Sequence, residues 1–435
     1  MFTTPSIIYN FLLILVSILL ILLFANLIFY TSLSLIGLKK PVRNYSLAAD
    51  KHKFLFLIPA HNEESVISDT LASMLYQNYD SELYDVVVIA DNCTDRTVEI
   101  VNSFEHVNLF VNTSKKGERR GKPHAIAKFI QTGIWKNYDY VAFIDADNIV
   151  HPDYLKEMNS QLIAHPHYTA IQGYLGVKNV ASSMTASGYA AVYFITNRAV
   201  QYAKHLLGWN AAIGGTGFIL ATDYILVHGW NPRSYTEDFE LQVELSLQGK
   251  VSGWNHFAKV YDEKPNNLIA SHNQRTRWAQ GHWFVAITTT AKQLVSISKA
   301  ANFPQLQNRI ETLFYSYSML RPVAFLAILL LGLIDWRLIN FLPHLFSIAL
   351  YWTTIELLNF IIIPLVYLTD EAALYFEKKT SLIAKIGFFF RLIIAFIWNS
   401  LTYLFAQIVG FSTWFLPQNN WKKTEHNASF EQEVN

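Results

Sequence analysis

From Ile7 to Leu38 the chain carries no charged residue, and the first charge is Lys39. About 20 residues of helix cross a bilayer core, so a run of this length spans it with some tilt or an interfacial tail. A cleaved signal peptide has a basic start and a shorter apolar core. This stretch has neither, so residues 1–38 are expected to stay as a transmembrane helix; a buried soluble helix is the competing reading. Lys39, Lys40 and Arg43 follow at once. Positive residues mark the cytoplasmic side, which predicts an N-terminus outside and a cytoplasmic domain next.

The rest of the composition fits a soluble domain joined to membrane segments. Hydrophobic residues make up 52% of 435, too many for an ordinary soluble enzyme, while 15% are charged, too many for a pure membrane bundle. The net charge of +1 leaves no global footprint for nucleic acid. Cys93 is the one cysteine, which excludes an internal disulfide framework and suits a reducing compartment.

After about Arg309 the chain turns apolar again. Leu313–Ile334 has the length to span but contains Arg321 and Pro322; Leu338–Leu368 contains Glu356; Lys385–Phe415 contains Arg391, Asn399 and Gln407. Ionisable residues inside a span usually face a polar cavity or a partner. Arg321 and Glu356 therefore line a path or pair with each other, unless Arg321 snorkels to an interface. Three full spans would leave the C-terminus outside. Lys385–Phe415, with its polar residues, is the best candidate for an interfacial or re-entrant segment instead.

Between these regions short apolar runs alternate with amphipathic ones. Phe54–Pro59, Asp85–Ala90, Val107–Val111 and Tyr140–Ile144 read as strands, and Ser65–Tyr76, Thr94–Phe104 and Pro123–Trp135 as helices between them. That alternation predicts an α/β domain with a mostly parallel sheet covered on both faces. Ligands then sit at the C-terminal strand ends. The dinucleotide-binding and P-loop glycine fingerprints are both missing from the sequence.

One strand end is VAFIDADN, Val141–Asn148. Alternation in an extended segment would put Asp145 and Asp147 on the same side. Two such close carboxylates suit Mg²⁺ or Mn²⁺, which share their shell with water and substrate phosphates; an aspartate-rich turn is the plainer alternative. Asp91–Asp95 (DNCTD) ends another strand, with Thr94 placed to cap the next helix and Asp91 left to accept from a ligand. Tyr235–Asp238 opens an expected helix Phe239–Leu247, where acidic residues also complement the helix dipole. Gln274–Trp278 (QRTRW) gathers two arginines, an amide and an indole, fit to bind phosphate and to stack on a sugar. An interfacial amphipathic helix is compatible with the same residues.

In order, PAHNEE, DNCTD, GKPHA, DAD, TED and QRTRW, spread from Phe54 to Gly281, resemble the membrane-embedded family 2 glycosyltransferases, the group of cellulose, chitin, hyaluronan and poly-N-acetylglucosamine synthases. The resemblance implies the nucleotide-diphosphosugar transferase fold, called A-type, flanked by transmembrane helices. It implies that Pro59, Ala60, Asn62 and Glu63 lie against the uridine, that Asp91 binds the uracil, and that Lys122 is a basic group near the nucleotide. Asp145 and Asp147 would bind the nucleotide and its Mg²⁺ or Mn²⁺. Asp238 would be the catalytic base, next to Glu237, and Gln274, Arg277 and Trp278 would hold the diphosphate and the acceptor end of a growing polymer. Gly215 and Thr216, in Gly214–Gly217, fall beside the acceptor sugar in the family, although an ordinary tight turn fits these residues equally. Trp421 and Thr424, in WKKTEH, resemble a gating loop that closes over bound nucleotide, which would require a cytoplasmic tail.

The chemistry agrees with these roles. A leaving diphosphate needs neutralising by a metal and a cation, and an attacking hydroxyl needs one carboxylate to take its proton. One attack inverts the anomeric centre, so an α-linked donor yields a β-linked product. The expected protein is a multi-pass plasma-membrane enzyme that polymerises a UDP-sugar onto a growing polysaccharide and exports it, with any accessory export or regulatory subunit a separate chain. The alternatives are a transferase that adds one sugar to a lipid acceptor, and a transporter whose domain only senses nucleotide. The expected division is a first helix (1–38), a glycosyltransferase domain (39–273), interfacial helices with QRTRW (274–310), a membrane region (311–416) and a tail (417–435).

Overall fold

The computed structural model describes residues 7–115, 117–335, 338, 363–372 and 381–417. Its strands are β1 (Phe54–Ala60), β2 (Tyr84–Asp91), β3 (Val107–Asn112), β4 (Tyr140–Phe143), β5 (Ile149–Val150), β6 (Tyr168–Val177), β7 (Phe218–Ala221) and β8 (Val251–Asp262). The helices of the first half are α1 (Ile7–Ile36), α2 (Ile67–Leu75), α3 (Thr97–Asn102), α4 (Lys122–Ile130), α5 (Tyr154–Ala164), α6 (Met184–Thr196) and α7 (Ala203–Leu206). Those of the second half are α8 (Thr222–His228), α9 (Glu237–Leu247), α10 (Leu268–Ser298), α11 (Phe303–Ser316), α12 (Leu320–Ile334), α13 (Ile363–Glu371) and α14 (Leu382–Thr413).

The strands form a single sheet in the order β3-β2-β1-β4-β7-β6-β8-β5. β1 runs parallel to β2 and β4, β2 to β3, and β6 to β8, while β7 is antiparallel to both its neighbours and β5 to β8. The sheet is mixed and mostly parallel, as expected. β1 reads FLFLIPA, an almost unbroken apolar run, because it is covered on both faces. Phe54, Phe56 and Ile58 pack against α2 and α5 through Leu71, Met74 and Leu155. Leu55 and Leu57 point the other way, into a core with Ile126 and Phe129 of α4 and Leu241 of α9. The segment 123–135 is not one helix: α4 stops at Ile130, and Gly133 takes a left-handed φ of 74° that opens a tight turn.

α1 and α14 are each long and apolar enough to cross a membrane, and α11 with α12 adds a third candidate if that bent pair is one span. The expected span Leu313–Ile334 is broken, with α11 and α12 meeting at 52°. Pro322 explains the break: it lacks an N–H and its ring clashes with the carbonyl four residues back, so it is accommodated in the first turn of a new helix. Glu356 and most of Leu338–Leu368 lie outside the described residues. α14 is one unbroken helix, which corrects the re-entrant expectation. Two of its polar residues, Arg391 and Asn399, have partners outside the helix. Arg391 donates to Ser187 Oγ (2.9 Å) and to the Ala181 carbonyl (2.9 Å), and Arg275 of α10 donates to the Asn399 carbonyl (3.2 Å) and to its side-chain oxygen. Two glycines let the helices touch. A Cβ at Gly188 would meet the Ala395 carbonyl at 2.7 Å, and one at Gly410 would meet Ala279 Cβ at 2.5 Å.

α1 is fastened to the domain by Arg198, which sits in a π-helical turn (Asn197–Tyr202) and is fully buried. Its guanidinium donates to the carbonyls of Gly37 (3.2 Å), Leu38 (3.3 Å) and Lys39 (2.8 Å), in the segment that follows α1. It also pairs with Glu371 at the end of α13 (3.0 Å).

Candidate functional site

The C-terminal ends of β1, β2 and β4 open on a cavity of about 480 Å³. At one end lie Pro59 and Ala60, the last residues of β1, and Glu63 just after it, with Asp91 at the end of β2. Asp91 Oδ1 accepts from Asn112 Nδ2 (2.6 Å) and Asn92 Nδ2 (2.7 Å), and its Oδ2 from the Gly121 N–H (3.3 Å). A carboxylate accepts about four hydrogen bonds, so it keeps capacity for a ligand. Asn62 is not part of the cavity wall. It takes a left-handed φ of 58°, and its Oδ1 accepts from the Thr94 N–H (2.7 Å), bracing the neighbouring loop. Thr94 does not cap the following helix: its side chain is bonded to Asn62, the N-cap position is Arg96, and the Thr97 N–H donates to Asp95 Oδ1 (3.0 Å).

Asp145 and Asp147 both line the cavity, but by a different route from strand alternation. β4 ends at Phe143 and the pair sits in a turn closed by the Asn148 N–H on the Asp145 carbonyl (3.1 Å). Thr216 and Asn148 lock that turn. The Asp145 N–H donates to Thr216 Oγ1 (3.0 Å), Thr216 Oγ1 to Asn148 Oδ1 (2.5 Å), and Asn148 Nδ2 to Asp147 Oδ1 (2.9 Å) and Asp262 Oδ1 (3.2 Å). The two carboxylates supply the oxygen ligands that Mg²⁺ or Mn²⁺ prefers, and Asp145 already receives an ammonium, so the residues fit such an ion. Among the described residues no group of three or more His, Cys, Asp or Glu could hold a metal alone, so water and substrate would complete its shell.

Lys122, the first residue of α4, reaches across the cavity. Its Nζ lies 2.6 Å from Asp145 Oδ1 and 3.4 Å from Glu237 Oε1, and it donates to the Gly215 carbonyl. Burial works against its charge, but Asp145 and Glu237 outweigh that and raise its pKa. Glu237 and Asp238 open α9. Burial pushes Glu237 up, partly opposed by Lys122. Burial and then the Glu237 charge push Asp238 up to about 7. A Cβ placed on Gly215 would lie 3.7 Å from both Asp238 Oδ2 and Lys122 Nζ, so the bare glycine keeps this corner open.

On α10, Gln274, Arg277 and Trp278 face the cavity, whereas Arg275 turns away to α14. Gln274 Oε1 accepts from Tyr189 OH (3.0 Å), and burial lowers the Arg277 pKa against the opposing pull of Glu237. α10 comes this close to α9 because residue 281 is glycine: a Cβ there would lie 2.8 Å from Thr236 Oγ1 and 2.9 Å from its backbone N. The cavity continues past α10 to Met319 and Tyr403, beside the apolar helices. Trp421 and Thr424 lie outside the described residues. The sequence reading missed Arg120, Tyr193 and the run Asp262–Lys264, all of which line the cavity. The available signal was a polar DEK run closing an apolar strand before Pro265.

A family model described as glycosyltransferase-like family 2 matches residues 52–281. A probable glycosyltransferase of Bacillus subtilis, YdaM, is 27% identical over 350 residues, which cover 74% of this chain and 80% of that protein. The poly-β-1,6-N-acetyl-D-glucosamine synthase of Staphylococcus aureus is 27% identical over 250 residues, 57% of this chain and 58% of that one. A mannosyltransferase of Pyrobaculum calidifontis, solved with GDP-Man and Mn²⁺, shares the fold with a TM-score of 0.52 at 18% identity, covering 85% of this chain and 100% of that one. With a family match over more than half its length, around a cavity lined by the DAD, TED and QRTRW residues, the chain belongs to the family 2 glycosyltransferases.

Proposed function

We propose that the protein is an inverting, processive glycosyltransferase that moves sugar units from a UDP-sugar onto a growing β-linked polysaccharide and passes the product across the plasma membrane. One observation carries this reading: a single cavity runs from Asp91 and the Asp145–Asp147 turn, past Asp238, to Trp278 and on to Met319 and Tyr403 beside the apolar helices. Donor, acceptor and exit are thereby contiguous. The similarity to a poly-β-1,6-N-acetyl-D-glucosamine synthase supports a polymer product over a single glycolipid.

Each residue then has a task. Asp91 accepts from the uracil, with Pro59, Ala60 and Glu63 alongside, and Asn62 acts by bracing the adjoining loop. Asp145 and Asp147 hold Mg²⁺ or Mn²⁺, which when bound supplies positive charge to the leaving diphosphate. Lys122 and Arg277 add fixed cations there. Gln274 and Trp278 hold the acceptor end, with Gly215 and Thr216 beside the acceptor sugar. Asp238 takes the proton from the acceptor hydroxyl as it attacks C1; a pKa near 7 suits a base at neutral pH. Asp145 is committed to cations and is the poorer base.

Arg198 joins the ends of α1 and α13, which supports placing both on one face of the membrane, the cytoplasmic one by the Lys39–Arg43 charges. The chain after the domain then crosses an even number of times. α14 lies along α6 and α10 at the membrane surface, and the tail with Trp421 and Thr424 is cytoplasmic. The test is product analysis: purified protein given UDP-N-acetylglucosamine with Mg²⁺ or Mn²⁺ yields long β-linked chains on a sizing column. A single sugar attached to lipid refutes processivity.

A further inference from the structure

Lys264 follows β8 with its backbone clamped by Asn179, whose Oδ1 accepts from the Lys264 N–H (3.0 Å) and whose Nδ2 donates to the Lys264 carbonyl (2.7 Å). Its ammonium is buried, with the side chain 2% exposed, yet the residue borders the cavity. Three rings surround that ammonium: Tyr193 at 4.4 Å from the ring centre, Tyr189 at 5.6 Å and Trp278 at 5.7 Å. It also donates to the Tyr193 hydroxyl (2.7 Å) and pairs with Asp262. A desolvated cation is attracted to aromatic faces far more strongly than an exposed one, so it favours one orientation of each ring around it.

This ammonium sits between the two halves of the site. On one side Asp262 Oδ1 accepts from Asn148 Nδ2 (3.2 Å), which also donates to Asp147 Oδ1 (2.9 Å). On the other, Trp278 meets Tyr189 edge to face at 6.1 Å, and the Tyr189 hydroxyl donates to Gln274 (3.0 Å). We infer that Lys264 is the positioning residue for the acceptor: its ammonium sets the Trp278 ring against the Asp147 turn, fixing where a sugar stacked on that ring meets the donor. This rests on the proposed function for the acceptor role of Trp278. A cation is needed there because Asp262 would otherwise be a buried charge without this counter-ion, and because the ammonium is the cation placed against Trp278 and Tyr193 together.

The test uses the full-length protein in detergent. Lys264→Met is combined with Asp262→Asn, so that no carboxylate is stranded, and Lys264→Arg is the conservative variant. The first readout needs no substrate: the absorption and emission contribution of Trp278, obtained by subtracting Trp278→Phe in each background. It is expected to change in the double variant and to be retained with Lys264→Arg. An unchanged contribution in the double variant would overturn the inference. The second readout uses UDP-N-acetylglucosamine with a β-1,6-linked N-acetylglucosamine tetramer as acceptor. The double variant is expected to raise the acceptor KM at least about tenfold while the donor KM shifts less than about threefold, and Lys264→Arg to recover most of the loss. Equal losses for donor and acceptor, or none, would contradict it. If the unsubstituted protein turns over no sugar nucleotide, the proposed function fails, and the Trp278 spectrum still decides whether Lys264 holds the ring.

Discussion

Lys122 Nζ lies 2.6 Å from Asp145 Oδ1, so the carboxylate proposed to hold a divalent ion is bonded to a cation of the protein itself. The same ammonium is 3.4 Å from Glu237, next to the proposed base. One side chain therefore balances the charge of both the Asp145–Asp147 turn and the TED turn.

Substituting Lys122 should accordingly alter metal binding in the absence of donor. A charge-assisted hydrogen bond is worth about 1.5–3 kcal/mol, so removing the competitor in Lys122→Met is expected to tighten Mn²⁺ binding to the ligand-free protein about tenfold or more. Electron paramagnetic resonance of free Mn²⁺ measures this directly. Unchanged affinity would mean that Asp145 is not the ligand.

The pH profile follows from Asp238. Burial and Glu237 push its carboxyl up to about 7, and a base must be deprotonated to act. Initial-rate kinetics should show kcat/KM falling about tenfold per pH unit below that value and levelling above it. Lys122 holds this pKa down, so Lys122→Met should move the acid limb to higher pH. For stability the sign reverses. A raised carboxyl pKa favours the fold at low pH, and that contribution is lost as pH rises toward 7. Asp238→Asn should therefore stabilise the protein most at neutral pH and above, read by thermal unfolding across the range.

Gly281 separates packing from chemistry. A methyl there would sit 2.9 Å from the Thr236 backbone N, which cannot swing away as a side-chain end can. Gly281→Ala is expected to cost about 1–3 kcal/mol of stability. It should also reduce turnover by displacing the turn that carries Asp238, although residue 281 does not line the cavity. A variant with lowered melting temperature and full turnover would refute the link.

Half of the sheet was legible: β1, β2 and β4 are apolar runs buried on both faces that lead into polar turns, and the more exposed edge strand β3 still carries Val107, Leu109, Phe110 and Val111. What escaped was decided by pairing at a distance. β6, β7 and β8 come together through antiparallel contacts with β7 and a parallel pair separated by about eighty residues, and nothing local in Asp262–Lys264 says that this run ends in the cavity rather than in water. The Asp145–Asp147 pair was found for a partly mistaken reason, since a turn locked by Thr216, seventy residues on, does what strand alternation was expected to do. The polar residues within α14 suggested an interfacial or re-entrant segment, and the unbroken helix overturns only the re-entrant alternative. Their partners Ser187 and Arg275 lie far away in sequence, which is why only the fold explains them.

Arg198 makes the anchoring of α1 testable. Arg198→Ala would leave Glu371 buried without its guanidinium and free three carbonyls at the end of α1. Breaking a buried ion pair from one side costs about 3–5 kcal/mol. A clear drop in melting temperature in detergent is expected, with a smaller drop for Glu371→Gln, which keeps an acceptor. Equal stability of Arg198→Ala and the unsubstituted protein would contradict the anchor.

The central claim is that this cavity transfers sugar from a nucleotide with Asp238 as the base. The most direct measurement is UDP release by the purified protein from UDP-glucose, UDP-N-acetylglucosamine, UDP-glucuronate and UDP-galactose, with Mg²⁺ and Mn²⁺, beside Asp238→Asn. The account requires release from at least one donor and a loss of about a hundredfold or more in the variant. Silence with every donor, or an Asp238→Asn variant as active as the unsubstituted protein, would contradict it.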